Sequence, residues 1–464
     1  MEKTLELFSQ IFMDLLEDEK TKSVSSYIPS SELFNTLDLS LAKAPMSEVD
    51  FEKVIRELVF ATTRTATSGF FNQLYGGRNE KAILGDLLAV MLNNSMYTYK
   101  AAGAQIGVEA TVLRNVCDII GWDENSGGTF AAGGSMTNFM SMLMARDRVV
   151  SDARNVGLSD KLTVYTSEVS HYSIPKNAAF CGIGRDNVRY VKADKFGKLK
   201  LDSLKELIEE DLVNGFKPTL LNLTAGTTVL GAFDSIKDFI DICKKHNIWV
   251  HLDGAYCGSV LFSEKYKHLI DGVELVDSFS FNAHKMIGTP LSCSLILVRD
   301  KVHLYDSFSN DASYLYQTDH DDFNLGKTSL QCGRRNDALK FWTLWRSVGT
   351  IGLEAIIDVQ FNLADVAREY IRNNSDYTLY SYDDSISICF NYKDISPVAL
   401  CTLLYEHSTL LVGYGSHENV EFIRFVTINA QNNPQDILNF FATLEQFVEE
   451  NVALFPSLKD QITG

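Results

Sequence analysis

Between about residues 160 and 300, short apolar runs rich in β-formers alternate with stretches of helical periodicity. The runs are Leu162–Tyr165, Val188–Val191, Leu220–Leu223, Ile248–Leu252, Phe279–Phe281 and Ser294–Val298. Each is too short for a helix, and most are apolar at successive positions, as a strand covered on both faces must be. The clearest helical stretch is Asp234–Asn247. There Ile236, Phe239, Ile240 and Cys243 fall on one face, and Asp234 is placed to cap the start. Strands alternating with helices predict an α/β fold, a mainly parallel sheet with helices on both sides. The C-terminal ends of its strands would lie along one edge, where ligands bind.

The flanks read differently. Leu5, Phe8, Phe12, Leu15 and Leu16 recur near helical spacing, so residues 1–75 are expected to be a helical segment that packs on a partner chain. Residues 76–355 would form the large domain. Residues 356–464 carry a helix, short strands at Ser387–Asn391 and Ile423–Thr427, and a helix from about Pro434 to Asn451, which predicts a smaller C-terminal α+β domain. With 45% apolar and 22% charged residues, the 464-residue chain can bury a large core. The net charge of -18 disfavours nucleic acid and anionic membrane as partners. The eight cysteines contain no Cys-x-x-Cys pair and lie mostly in apolar surroundings, so they read as free thiols without metal. Met1-Glu2-Lys3-Thr4-Leu5-Glu6 lacks the basic start and apolar run of an export signal, and a cytoplasmic location is expected.

Several polar residues follow the strand runs closely. His171 comes after Leu162–Tyr165, Thr228 after Leu220–Leu223, Asp253 after Ile248–Leu252 and Lys285 after Phe279–Phe281. Gly127, Gly128, Gly133 and Gly134 surround Thr129 and Phe130, and Ser135 opens the helical run Met136–Arg148. That glycine stretch can be a tight turn, or it can bring backbone N–H groups to an anion at a helix start. A parallel sheet would converge all of these on one crevice. Their chemistry fits pyridoxal phosphate. A lysine amine condenses with an aldehyde, and an aspartate keeps a ring nitrogen protonated. An imidazole stacks on a flat ring, and a helix start holds a phosphate.

Longer motifs add a resemblance. Ser280-Phe281-Asn282-Ala283-His284-Lys285-Met286-Ile287-Gly288 resembles the lysine motif of the group II pyridoxal-phosphate-dependent decarboxylases. His251-Leu252-Asp253-Gly254-Ala255-Tyr256 resembles their pyridinium-aspartate motif, and Thr166 to Ile174 their stacking-histidine motif. Ala225 to Asp234 and Gln331-Cys332-Gly333-Arg334-Arg335 are also similar, and the likeness runs from about 50 to 450. It is nearest to the glutamate and cysteine sulfinate decarboxylase branch.

The resemblance implies an aspartate-aminotransferase-like (type I) fold with a seven-stranded sheet. It also implies a homodimer that decarboxylates a small acidic amino acid: glutamate, cysteine sulfinate or aspartate. Lys285 would carry the cofactor, with His171 on the ring face and Asp253 at the ring nitrogen. Gly134, Ser135, Asn282 and His284 would hold the phosphate, and Thr228 and Ala255 would line the ring's polar edge and back face. Tyr314 would return a proton to the substrate carbon after carbon dioxide leaves. Tyr314 and Gly333, beside Cys332, would reach the neighbouring subunit's cofactor. Arg424 would hold a substrate carboxylate, with Phe71 and Gln73 near its side chain.

The sequence departs from the family pattern at Ala283, Gly254 and Lys100, and the stretch from Tyr314 to Gln331 is slightly short. The last two bear on substrate choice. A decarboxylase of another small polar amino acid such as diaminobutyrate, an aminotransferase or lyase, and a non-catalytic binding protein are the alternative readings.

Overall fold

A computed structural model describes residues 1–21, 23–310 and 323–455. The chain divides into two compact units. The larger comprises residues 78–362 and 382–386; the smaller comprises 1–77, 363–381 and 387–464.

The larger unit is built on seven strands: β1 (Gly127–Ala131), β2 (Leu162–Ser167), β3 (Val188–Val191), β4 (Lys217–Thr224), β5 (Trp249–Gly254), β6 (Ser278–Asn282) and β7 (Ser294–Val298). Their order is β1-β7-β6-β5-β4-β2-β3. β2 through β6 pair in parallel. β7 runs antiparallel to both β1 and β6. Two antiparallel steps leave β1 pointing the same way as β6, so β1, β2, β4, β5 and β6 all end on one edge. β2, β5, β6 and β7 are buried along their whole length, because helices cover both faces. One covering helix, Gly134–Val149, packs Met140, Met142, Met144 and Ala145 into the core with Leu162, Val164 and Ile296.

Two local expectations change. Asp234 does not cap a helix, since the helix begins at Lys237. Its buried carboxylate instead accepts the backbone N–H groups of Leu199 and Thr224, both at 2.8 Å. Gly127 and Gly128 belong to β1 rather than to a turn. A side chain at Gly128 would collide with the backbone of β7, so glycine lets the two strands close up.

The smaller unit holds a four-stranded antiparallel sheet: β8 (Tyr377–Leu379), β9 (Ser387–Tyr392), β10 (Gly413–His417) and β11 (Val420–Val426), in the order β10-β11-β9-β8. The helix Pro434–Glu450 buries Ile437, Phe440, Phe441 and Leu444, and opens with a capping box between Asn433 and Asp436.

Candidate active site

Gly134, Ser135, His171, Thr228, Asp253, Ala255, Asn282, His284 and Lys285 line one cavity of about 210 Å³ at the C-terminal strand edge of the larger unit. Asn138, Thr224, Gly226 and Tyr256 complete its wall. Each group is delivered by the element before it. Asn282 is the last residue of β6, and His284 and Lys285 follow in a turn closed by Lys285 N–H to Asn282 O at 3.0 Å. Asp253 is the next-to-last residue of β5. His171 lies four residues beyond β2, and Thr228 four beyond β4.

The geometry sorts these groups by chemistry. The buried Asp253 carboxylate accepts Asn138 Nδ2–H at 2.7 Å and Ala255 N–H at 3.0 Å. The Lys285 ammonium lies 5.9 Å from the centre of the Tyr256 ring. Burial lowers the His171 pKa, and the Lys285 charge lowers it further against the pull of Asp253. Burial also takes His284 down to about 4. His284 Nδ1 lies 2.9 Å from the Cys293 nitrogen and 3.1 Å from the Cys293 carbonyl oxygen, so the backbone of Cys293 fixes the ring.

A bound pyridoxal phosphate suits this cavity on three observations. First, Gly133 has φ 108°, outside the range of L side chains, and turns the chain straight into the helix Gly134–Val149. Second, a Cβ on Gly134 would stand 3.0 Å from Ala255 Cβ and 3.2 Å from Asn282 Nδ2, so only glycine brings this helix start so close to the strand ends. The helix start offers N–H groups and positive potential to a phosphate. Third, Asn282 Oδ1 is buried without a partner, leaving capacity for a ligand network.

Four of the remaining residues, Gly333, Phe71, Gln73 and Arg424, are not among the residues that line this cavity. Gly333 is exposed and does not line the cavity. Tyr314 lies outside the described residues. Phe71, Gln73 and Arg424 belong to the smaller unit. Phe71 is buried, stacked on Phe425 at 4.3 Å and set edge-on to Phe440, so its ring is a core group. Asn72 and Gln73 line a cavity of that unit, with Gly413 and Tyr414. Arg424, on β11, donates from Nη2 to Asn72 O at 2.7 Å. Asn138 has no role in the sequence reading, and His251 enters it only as the first residue of the aspartate motif. The available signal was polarity in a buried context: Trp249, His251 and Asp253 alternate on one face of β5, and Asn138 and Ser141 lie three apart on the covering helix.

A parallel-edge cavity joining a lysine, a strand-end aspartate, a histidine and a glycine-tight helix start defines a pyridoxal-phosphate enzyme of the type I fold. Residues 31–393 match the model of the pyridoxal-dependent decarboxylase conserved domain. The chain is 34% identical to bovine acidic amino acid decarboxylase GADL1 over 441 residues, 90% of this chain and 84% of that one. It is 33% identical to rat cysteine sulfinic acid decarboxylase over 455 residues, 93% of this chain and 92% of that one. The crystal structure of mouse CSAD superposes with a TM-score of 0.90 at 31% identity, covering 96% of this chain and 98% of that one. Tryptophan decarboxylase of Catharanthus roseus, at 22% identity and a TM-score of 0.88, shares the fold. The chain belongs to the pyridoxal-dependent decarboxylase family, and it is a pyridoxal-phosphate-dependent carboxy-lyase.

Proposed function

We propose that this enzyme removes the α-carboxylate of a small acidic L-amino acid, giving the amine and carbon dioxide. The observation that carries the substrate class is the similarity, over nine-tenths of the chain, to decarboxylases named for acidic amino acids and cysteine sulfinic acid. When bound, the cofactor would supply a protonated ring that accepts the electron pair left on the substrate carbon as carbon dioxide departs. Lys285 holds its aldehyde, and Asp253 holds the proton on the ring nitrogen. His171 covers the ring face. Gly134, Ser135, Asn282 and neutral His284 bind the phosphate, while Thr228 and Ala255 border the ring. Arg424 binds a substrate carboxylate and Gln73 contacts the side chain, with buried Phe71 fixing the segment that carries Gln73. On the resemblance alone, Tyr314 returns the proton to the substrate carbon, and Gly333 reaches a second subunit's cofactor.

The test is a panel of glutamate, aspartate, cysteine sulfinate and 2,4-diaminobutyrate assayed for carbon dioxide release. Turnover of one of the acids is expected. Turnover of diaminobutyrate alone, or a keto acid product, would overturn the assignment.

The same proposal includes a homodimer. The helix Glu80–Leu92 leaves Leu84, Leu88, Met91 and Leu92 exposed at helical spacing, which supports a covering partner. Sedimentation at assay concentration should give twice the chain mass of 51.9 kDa. A fully active monomer would refute it. The eight free cysteines, seven of them buried, support a reducing, cytoplasmic setting. Among the described residues no helix is long and apolar enough to cross a membrane.

A further inference from the structure

Behind the cavity lies a buried chain of hydrogen bonds whose directions follow from donor and acceptor chemistry together with the neutral state of its histidines. It starts at Trp249, whose indole can only donate, and reaches Ser278 Oγ at 2.8 Å. Ser278 Oγ also meets Ser141 Oγ at 2.9 Å and His251 Nδ1 at 2.8 Å. His251 Nε2 meets Asn138 Oδ1 at 3.1 Å. Asn138 Nδ2 faces Asp253 Oδ2 at 2.7 Å and Ser173 Oγ at 3.1 Å. Ser173 Oγ meets His171 Nδ1 at 2.8 Å, and the Ser173 N–H points to the same nitrogen at 3.2 Å.

The orientation of Asn138 follows from the carboxylate. An amide oxygen 2.7 Å from a carboxylate oxygen would be repelled, so the NH2 group must face Asp253. Its oxygen then faces His251, which must donate from Nε2. Burial drives His251 down to about 4, so the ring is neutral and its Nδ1 accepts the proton of Ser278. The second N–H of Asn138 goes to Ser173, whose hydroxyl proton therefore turns to His171 Nδ1. That nitrogen receives two donors, and the ring proton is left on Nε2. Asn138, Ser141, Ser173, Trp249, His251 and Ser278 are all at most 2% exposed, so water does not compete.

We propose that Asn138 is a positioning residue: its one amide holds the Asp253 carboxylate and, through Ser173, sets His171 as the neutral tautomer with its proton on Nε2. The two protein groups assigned to the cofactor ring are thereby oriented together by a side chain placed behind the ring-binding groups. This inference rests on pyridoxal phosphate occupying the cavity. The cofactor-free protein tests the His171 half of it separately.

Asn138→Asp keeps shape and volume but replaces the donor with a second carboxylate beside Asp253. Nitrogen-15 spectra of labelled histidine should report His171 in the wild type as a single Nε2–H tautomer, with and without cofactor. In Asn138→Asp the hydroxyl of Ser173 turns to the new carboxylate, so the His171 titration should move to higher pH. The dissociation constant of pyridoxal phosphate should rise roughly tenfold or more, the effect of losing a hydrogen bond to a charged group. Ser173→Ala removes the His171 arm and the acceptor of the second Asn138 N–H, but leaves the bond from Asn138 to Asp253 in place. It should change the His171 titration while cofactor affinity stays within about twofold, well inside the cost of one charged hydrogen bond. This arm also decides the case if Asn138→Asp does not fold. An Nδ1–H tautomer in the wild type, or wild-type affinity and His171 titration in Asn138→Asp, would overturn the proposal. So would an unchanged His171 titration in Ser173→Ala. Wild-type protein that binds no pyridoxal phosphate would instead sink the cofactor reading.

Discussion

In the larger unit the reactive groups sit at or just past the ends of parallel strands, and the strand that leads to each group sets its position. In the smaller unit, Asn72 and Arg424 meet through one hydrogen bond between segments 352 positions apart in the chain. Backbone bonds from Phe71 to Leu411 at 2.8 Å and from Val426 to Phe71 at 3.1 Å hold them there. The first arrangement is rigid by topology, because shifting one strand end would break the sheet. The second depends on a few pairings around a cavity wall. A position set by topology suits cofactor chemistry, where the bond to be broken must be held against a fixed ring. A position set by a few side chains suits the recognition of one substrate among several, because it can change without disturbing the sheet.

The widest separation between the two regions should come from Lys285→Ala. Activity should fall below detection, since among the described residues no other lysine lines the cavity to take the aldehyde. Borohydride treatment of the wild type followed by peptide mapping should find the cofactor on Lys285. Labelling of a different lysine would show that the strand-edge reading has the wrong residue.

Arg424→Gln should act more weakly and on a different parameter. It removes a charge from the smaller unit and leaves the strand edge intact. KM for the preferred acidic substrate should rise roughly tenfold to a hundredfold, the range for a lost hydrogen bond to a charged group. The cofactor spectrum should not change. A fall in kcat at constant KM would mean that Arg424 acts on the transition state rather than on binding.

The same contrast explains what the sequence made legible. Lys285, Asp253, His171 and Thr228 stand within a few residues of apolar runs, so finding the strands found the groups. β1 was missed as a strand because glycine is scarce in strands, and Gly127-Gly128 reads as a turn. β10 was missed because its residues are partly or fully exposed and its hairpin turns on Glu418 and Asn419, at φ 48° and 65°. Those positions are usually filled by glycine or by Asn-Gly. Asp234 looked like a cap because capping is a local rule. Its real partners, Leu199 and Thr224, come from other elements. The network through Asn138 escaped for the same reason: each member is ordinary alone, and only packing joins them.

The smallest expected effect uses pH to test whether burial of polar groups distinguishes the larger unit. Burial lowers His171, His251, His284 and His303, and all four belong to that unit. His251 and His284 fall to about 4 from an ordinary 6.5. The unfolded chain therefore takes up protons below about pH 6.5 that the folded unit refuses until about pH 4. Their contribution is fully present above pH 6.5 and is lost as pH falls toward 4. Asp234 works in the opposite direction. Burial lifts its carboxyl from 3.8 to about 7, so its contribution is present at low pH and is lost as pH rises through that range. Comparing wild type with His251→Gln cancels Asp234, which is common to both. The variant should be less stable at pH 7.5, because it breaks the bonds to Ser278 and Asn138. The gap should narrow by about 2 kcal/mol at pH 5, where wild-type His251 resists a proton that the unfolded chain accepts. Peptide-resolved hydrogen exchange over β5 and β6 measures this within the larger unit, with β9 and β11 as the internal reference. A gap of the same size at both pH values would mean that His251 binds protons equally well folded and unfolded, and that its burial does not set the acid response of the cofactor unit.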